Sequence, residues 1–196
     1  MRIISGSHRG RILHPPKNLK LRPTTDIAKE ALFNVLYNYF DFEDLTVLDL
    51  FAGTGAIGCE FASRGSEFVT AVEINNKAAV FIRKTAEELN FNIQVITADV
   101  FRFIPSCKIQ YNLIFADPPY DLQTAAELPN LIFKHNLLAN EGWFVMEHSK
   151  SLDFSKHQNL FDHRKYGKVN FSIFKNITQI SEIEKPKEEN LTELSE

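Results

Sequence analysis

The chain has few cysteines, and nothing in their spacing suggests a structural role. Only two of the 196 residues are cysteines, Cys59 and Cys107, and no C-x-x-C pair occurs. Neither a disulfide framework nor a cysteine zinc site is predicted, so we expect two reduced thiols. The six histidines likewise lack metal-ligand spacing, and we expect no bound metal.

Long apolar runs are also missing. No stretch approaches the roughly 20 residues that a membrane-spanning helix needs. The amino terminus carries Arg2, Arg9 and Arg11 without a following apolar segment, so no signal peptide is visible. We therefore expect a cytoplasmic protein with no membrane partner. The apolar content of 44% is that of an ordinary globular protein, and one main domain is the default expectation.

Charge is distributed unevenly along the chain. Residues 1–25 contain six Lys or Arg and no Asp or Glu, whereas residues 181–196 contain six Glu and two Lys. Two short β-like runs, at 2–5 and 11–14, flank the glycine-bounded tip 6–10, which predicts a basic hairpin. Such a tip suits a phosphate backbone, although a solvated edge hairpin has the same composition. The acidic tail has little apolar content and is predicted to be disordered.

The chain is organised around Val47-Leu-Asp-Leu-Phe-Ala-Gly-Thr-Gly-Ala-Ile-Gly58, in which a buried strand runs into a glycine turn and then a helix. Glycines at the end of a parallel strand let a ligand approach the backbone closely, which indicates a nucleotide-like cofactor. The G-x-G-x-x-G spacing, with Glu73 placed for a ribose hydroxyl, fits a dinucleotide or S-adenosylmethionine (SAM). Asp49 beside the turn favours SAM, because a carboxylate attracts its sulfonium and ammonium and repels a pyrophosphate.

Strand and helix patterns alternate along most of the chain. Strands are predicted at 47–50, 68–73, 93–97, 111–116 and 142–147, and helices at 27–39, 56–64, 76–90, 99–104 and 122–135. This alternation predicts an α/β fold with a mostly parallel sheet, closed at one edge by an antiparallel hairpin at 160–166 and 169–175. On the helix at 27–39, Asn34 is the polar residue that could face the cofactor.

Four acids follow the pattern of a ligand site. Asp49, Glu73, Asp99 and Asp117 each fall at or just after the end of a different predicted strand. Because ligands bind at the carboxyl ends of parallel strands, these carboxylates are expected to converge on one crevice.

The motif Asp117-Pro-Pro-Tyr120 follows the predicted strand at 111–116 directly. The two prolines hold the chain extended and contribute no N–H, so the carboxylate and nearby carbonyls are left as acceptors for an exocyclic amino group. The adjacent tyrosine offers a face on which a flipped base can stack. The alternative interpretation is a rigid turn without chemistry.

At these residues the sequence resembles amino-directed SAM-dependent methyltransferases and, more narrowly, the RsmD family of 16S ribosomal RNA guanine-N2 methyltransferases. The resemblance covers residues 1–176. It is carried by Arg2-Ile-Ile-Ser-Gly with Arg9-Gly-Arg11, Arg22-Pro-Thr-Thr-Asp26, Glu30-Ala-Leu-Phe-Asn34, Leu48-Asp-Leu-Phe-Ala-Gly53 with Gly55, Asp117-Pro-Pro-Tyr120, Glu147-His-Ser149 and Tyr166-Gly167. It implies a Rossmann-like, seven-stranded fold at 23–178, preceded by a basic β-hairpin extension at 1–22 and followed by the acidic tail at 181–196.

The resemblance also implies a site. SAM would be held by Asn34, Asp49, Phe51, Ala52, Gly53, Gly55, Glu73, Ile74, Asp99 and Val100. Within this set, Asp49 and the two glycines would hold the methionine part, Glu73 the ribose, and Asp99 with Val100 the adenine. The catalytic set would be Asp117, Pro118, Pro119 and Tyr120, in which the first two accept from the guanine amino group and the tyrosine stacks. RNA contacts are expected from Arg2, His8, Arg9, Arg11 and Arg22.

Other functions remain compatible with parts of the pattern. The Asp-Pro-Pro-Tyr motif also fits amino-methyltransferases that act on another RNA, a DNA adenine or a protein glutamine. The three glycines alone would suit a dinucleotide-dependent oxidoreductase, and the basic hairpin a non-catalytic RNA-binding module. The expected partner is 16S rRNA or the assembling 30S subunit. The protein is expected to be a monomer.

Overall fold

A computed structural model describes residues 1–16, 19, 26–167 and 169–176. The helices are α1 (Asp26–Tyr37), α2 (Ala56–Ser63), α3 (Asn76–Glu88), α4 (Val100–Ser106) and α5 (Leu128–Lys134). The strands are β1 (Thr46–Leu50), β2 (Phe68–Glu73), β3 (Ile93–Thr97), β4 (Tyr111–Ala116), β5 (Leu138–His148), β6 (Leu160–Tyr166) and β7 (Val169–Lys175). No helix in these ranges is both long and apolar enough to cross a membrane.

The seven strands form one sheet in the order β3-β2-β1-β4-β5-β7-β6. Neighbours from β3 to β5 run parallel, while β7 pairs antiparallel with both β5 and β6. The predicted fold class is confirmed. The chain moves outward from β1 to β3 and then returns to β4 on the other side of β1, so the crevice at the carboxyl ends of β1 and β4 is the switch point at which such sheets bind ligands.

Helices cover both faces of the sheet. Val47 of β1 packs with α1 and α2 on one face, and its neighbour Leu48 packs with α4 and α5 on the other. Because both faces are buried, the central strands are almost continuously apolar, as parallel strands usually are. The rare polar residues in these strands therefore stand out, and Asp49 is one of them.

Several element boundaries differ from the prediction, most of them by one or two residues. The predicted helix at 122–135 is a 3₁₀ segment, Gln123–Glu127, followed by α5. Pro129 lies in the first turn of α5, where its missing N–H is tolerated, but it cannot continue a helix from the preceding turn. Helix α4 runs past its predicted end and includes Pro105. Strand β5 begins at Leu138 instead of 142, with an irregular register against the start of β4.

The predicted amino-terminal hairpin is present and packs against the body. Arg2 and Ile12 form an antiparallel bridge, and the Ile3 amide donates to the Arg11 carbonyl at 2.9 Å. The buried carboxylate of Glu60 in α2 accepts the amides of Ile4 (2.8 Å) and Ser5 (3.0 Å). Two backbone donors that a free hairpin would expose to water are thus satisfied by the body.

The same carboxylate has two cationic partners. The Lys29 ammonium of α1 lies 3.3 Å from Glu60 and is itself only 2% exposed, and the Arg64 guanidinium lies 2.9 Å away. Lys29 also donates to the Arg2 carbonyl at 2.6 Å. This buried network ties the hairpin to both α1 and α2.

Candidate cofactor and base-binding site

The turn after β1 requires unusual backbone angles. Gly53 and Gly55 have φ of 58° and 75°, and Phe51 adopts φ of 58° although it is not a glycine. A Cβ atom on Gly55 would lie 2.9 Å from the Ile82 side chain of α3, so this position has both a conformational and a steric reason for glycine. The turn places glycine backbone, which carries no Cβ, at the end of β1, where a ligand can approach it closely.

Asp49 is buried beneath this turn. Its side chain is 1% exposed, and Oδ2 accepts the Gly58 amide at 3.0 Å. Burial raises the pKa of the Asp49 carboxyl to about 7 against the lowering effect of that hydrogen bond, and the nearby Glu73 carboxylate adds to the rise. A cation placed beside Asp49 would favour the ionised carboxylate, so the residue fits the sulfonium and ammonium chemistry of SAM.

Glu73, the last residue of β2, stabilises the glycine turn by accepting hydrogen bonds from backbone amides. Oε2 accepts the Gly53 amide and Oε1 accepts the Asn75 amide, both at 2.7 Å. Each carboxylate oxygen keeps a further lone pair, so the residue can still accept from a ribose hydroxyl. The sequence predicted only the ribose role, and the structure adds that Glu73 holds the glycine turn in its shape.

Most of the remaining predicted cofactor residues follow the carboxyl ends of β1, β2 and β3. Asp99 caps α4 by accepting the Arg102 amide at 3.0 Å, and Val100 is buried as the first residue of that helix. The Ala52 amide donates to Val72 of β2 at 3.0 Å. In addition, the Phe51 ring contacts Phe101 edge-on, and Ile74 is largely exposed beyond β2.

Asn34 is placed differently. It lies on the exposed side of α1, and its backbone carbonyl accepts the Asn38 side chain at 3.1 Å. Its proposed contact with the cofactor stays a prediction.

The Asp-Pro-Pro-Tyr motif begins one residue after β4. Asp117 is half-buried, Pro118 is buried, and Pro119 and Tyr120 are exposed. The Leu122 amide donates to the Pro119 carbonyl at 3.0 Å, which turns the chain at this point. Because β1 and β4 are neighbours, the motif lies at the same edge of the sheet as the glycine turn.

Tyr120 also contacts a residue of the neighbouring strand β5. Its hydroxyl donates to Oε1 of Glu147 at 3.3 Å, and Glu147 is 1% exposed. In the pairing of β4 with β5, Ala116 faces Met146, so Asp117 and Glu147 occupy the next position of each strand. In the sequence, Glu147 belongs only to the Glu147-His-Ser149 segment of the family resemblance. Its signal was an acid at the end of an apolar strand, the same signal that identified the other four acids.

The predicted RNA-contacting residues are spread over the hairpin. Arg9 and Arg11 are exposed, while Arg2 pairs with Asp26 at 3.2 Å. The His8 ring is half-buried and packs edge-on against Phe91, with 4.8 Å between ring centres. Arg22 lies outside the described residues.

The sequence did not predict the buried pair of Lys29 and Glu60. Each residue lies in an apolar stretch of a helix, where a charged side chain indicates a buried partner. The neighbouring sequence does not show which distant residue that partner is. The two cysteines were predicted correctly as free thiols. Among the described residues, no group of three or more His, Cys, Asp or Glu side chains could hold a metal ion.

Comparison with known proteins agrees with this geometry. The family model described as "Conserved hypothetical protein 95" matches residues 1–175. The "Ribosomal RNA small subunit methyltransferase D" of Escherichia coli K12 is 34% identical over 148 residues, which are 75% of this chain and 74% of that protein. Its counterpart in Buchnera aphidicola (Baizongia pistaciae) is 30% identical over 182 residues, 90% of this chain and 92% of that protein.

Solved structures show the same fold. The Escherichia coli protein yhhF superposes with a TM-score of 0.80 at 30% identity, over 91% of this chain and 99% of that one. The Thermus thermophilus 16S rRNA N2 methyltransferase RsmC, solved with AdoMet and guanosine, has a TM-score of 0.64 at 20% identity over 78% of this chain and 44% of that one. The second likeness concerns the fold alone. From the family model and the full-length relatives together, this chain belongs to the RsmD family of SAM-dependent methyltransferases.

Proposed function

We propose that the protein transfers a methyl group from SAM to the exocyclic N2 of a guanine in 16S ribosomal RNA of the small subunit. The observation that carries the proposal is the adjacency of two sites at one sheet edge. The buried Asp49 and its glycine turn end β1, and Asp117-Pro-Pro-Tyr120 follows the neighbouring strand β4. A methyl donor and an amino acceptor held at these two places would meet in the crevice between them.

The residues of the first site have separate tasks. Asp49 would offset the positive charge of the bound cofactor, the glycine turn would let it approach the backbone, and Glu73 would bind the ribose while it holds the turn. Asp99 and Val100 would bracket the adenine. When bound, SAM supplies an electrophilic methyl group, which passes to N2 as its bond to sulfur breaks.

At the second site, Asp117 and the Pro118 carbonyl would accept hydrogen bonds from the guanine amino group. Two acceptors of this kind orient the nitrogen lone pair away from themselves and toward the methyl carbon, and this positioning is the main source of rate. Tyr120 would stack on the guanine ring. The proton lost from N2 would leave to Asp117 or to water.

The basic hairpin supports an RNA substrate, because Arg9 and Arg11 are exposed there and no acid precedes Asp26 in the sequence. Arg2, His8 and Arg22 are proposed as further contacts. Action on the small subunit would place the protein in the cytoplasm, and we expect it to act as a monomer.

The test is methyl transfer from labelled SAM to 30S particles or 16S rRNA from a strain that lacks the gene, followed by nucleoside analysis. N2-methylguanosine is the expected product. Asp117→Ala should abolish transfer while SAM binding persists. Asp44→Ala, which removes an exposed acid at the opposite end of β1, is the matched control and should keep both.

No transfer to either substrate by wild-type protein that binds SAM would contradict the proposal. It would direct attention to another RNA, a DNA adenine or a protein glutamine as acceptor.

A further inference from the structure

A surface groove of about 450 Å³ runs between the second run of the hairpin and α3. Its lining includes Arg11, Ile12 and His14 on the hairpin side and Lys77, Val80 and Lys84 on the helix side. None of the helix residues was among the predicted RNA contacts.

One end of this groove adjoins the cofactor-binding edge. Lys77 is the second residue of α3, and the preceding cap residue Asn75 donates its amide to Glu73. On the hairpin side, the terminal ammonium of Met1 donates to the Leu13 carbonyl at 3.0 Å, and the Met1 sulfur accepts from Thr54 of the glycine turn at 3.2 Å. The base of the hairpin and the start of α3 therefore both meet the cofactor-binding turn.

The tip of the hairpin lies at the other end of the body. The Ser7 amide donates to the Ser63 carbonyl at 2.7 Å, and His8 packs on Phe91 beyond α3. Ser63 is the last residue of α2, a helix that begins at the glycine turn and leads away from it. A strand of RNA that leaves the crevice thus meets the groove before it meets the tip.

The groove has the charge and surface of a nucleic-acid site. Lys77 and Lys84 lie seven residues apart on one face of α3, and both are exposed. Lys84 has Glu88 at 3.7 Å, but such an exposed pair has little strength and leaves the lysine available. Ile12 is 57% and Val80 is 53% exposed, so the cations flank apolar surface on which sugars and base faces can pack.

The sequence adds positive charge after the last hairpin residue that lines the groove. Pro16 lines the groove, and the chain then continues with Lys17, Lys20 and Arg22 before its first acid, Asp26. Positive charge therefore extends along the chain from the groove, and a polyanion is the ligand that it complements.

We propose that this groove binds the RNA strand next to the target guanine, with Lys77 and Lys84 as phosphate contacts. The proposal rests on the proposed function, because it takes RNA as the substrate. It assigns the RNA path to the hairpin base and α3, with the tip as a more distant contact.

The test is equilibrium binding of the full-length protein to an unmodified 16S rRNA transcript at several KCl concentrations. Lys77→Ala with Lys84→Ala should weaken binding about tenfold at low salt and reduce the salt slope by about 1.4, since each phosphate contact to a single strand contributes about 0.7. The matched control is Lys108→Ala with Lys134→Ala, which removes two exposed lysines that follow α4 and end α5. It should bind like the wild type, and SAM affinity should be equal in all three proteins.

Equal RNA affinity and slope in both double variants would overturn the proposal. A loss confined to assembled 30S particles, with naked rRNA bound normally, would also overturn it, because the groove would then contact a ribosomal protein. Methyl transfer by the wild type is measured in parallel, so failure of the proposed function would show as no transfer at all, independently of how the variants bind RNA.

Discussion

The hydroxyl of Tyr120 donates a hydrogen bond to the buried carboxylate of Glu147, with 3.3 Å between the two oxygens. This contact links the exposed aromatic ring of the Asp-Pro-Pro-Tyr motif to the buried end of strand β5. A ring that must stack on a flipped base loses less entropy when its orientation is already set. We infer that Glu147 acts as a positioning residue for Tyr120.

A double-mutant cycle tests this role. Tyr120→Phe and Glu147→Met should each lower kcat/KM for RNA about fivefold, the value of one modest hydrogen bond. The double variant should be no worse than either single variant, because both remove the same contact. Glu147→Gln retains an acceptor and should keep most of the activity. Strictly additive losses, or a parallel loss of SAM affinity, would show that Glu147 has only a structural role.

The raised pKa of Asp49 makes cofactor binding dependent on pH. In the cofactor-free protein this carboxyl, with its pKa of about 7, is protonated in acid, whereas a bound cation requires it to be ionised. SAM affinity should therefore rise with pH by at most about tenfold per unit below neutrality and level off above it. Calorimetry in two buffers of different ionisation enthalpy should detect proton release on binding near pH 6.5. Affinity that does not change between pH 5.5 and 8 would contradict this prediction.

The burial of Asp49 affects both the stability of the fold and the binding of SAM, and the Asp49→Asn variant separates these two effects. Because the folded pKa lies above the unfolded value, the free energy of unfolding contributed by Asp49 falls as pH rises toward 7. The amide keeps an acceptor for the Gly58 amide without a buried charge. Cofactor-free Asp49→Asn should thus melt higher than wild type at pH 8, with a smaller difference at pH 5, and it should lose SAM binding. Asp44→Asn, in an exposed site, should change neither property.

A buried and an exposed lysine–glutamate pair offer a matched stability comparison. Lys29 and Glu60 are both almost fully buried, whereas Lys84 and Glu88 are exposed. Lys29→Met should lower the free energy of unfolding by about 3 kcal/mol, because a buried carboxylate loses a cationic partner. Lys84→Met should change it by less than about 0.5 kcal/mol. Urea denaturation measures both, and equal effects would contradict the assigned role of the buried pair.

Two glycines of the hairpin form a second matched pair. Gly6 and Gly10 have nearly the same positive φ, 82° and 83°, but a Cβ on Gly6 would lie 1.8 Å from the Ser63 carbonyl and one on Gly10 would meet nothing within 4 Å. Gly10→Ala should cost about 1 kcal/mol of unfolding free energy from backbone strain alone. Gly6→Ala should cost clearly more and expose the Ser7 amide to rapid hydrogen exchange, since the tip must lift off α2. Equal costs would mean that the tip is not held at Ser63.

The parts of the site that the sequence predicted are those with local causes. A glycine turn after an apolar strand requires positive φ at the same residues in any such fold, and Gly53 and Gly55 have it. The Asp-Pro-Pro-Tyr motif offers a carboxylate and carbonyl oxygens as acceptors, and its two prolines have no backbone N–H, whichever strand it follows. The alternation of strands and helices also placed four acids at the carboxyl ends of four strands, and adjacency of β3, β2, β1 and β4 brings them to one edge.

The other features depend on residues far apart in the chain. Tyr120 and Glu147 are joined by the pairing of β4 with β5, and Lys29 and Glu60 by the packing of α1 on α2. The direction of the hairpin, whose tip points away from the crevice, follows from backbone hydrogen bonds to α2. Sequence alone determined the fold class, because periodicity and turn chemistry act over a few positions, and its motifs indicated the family. Only the tertiary structure decided which charges are buried together and where the basic surface lies, because those depend on which distant elements come into contact.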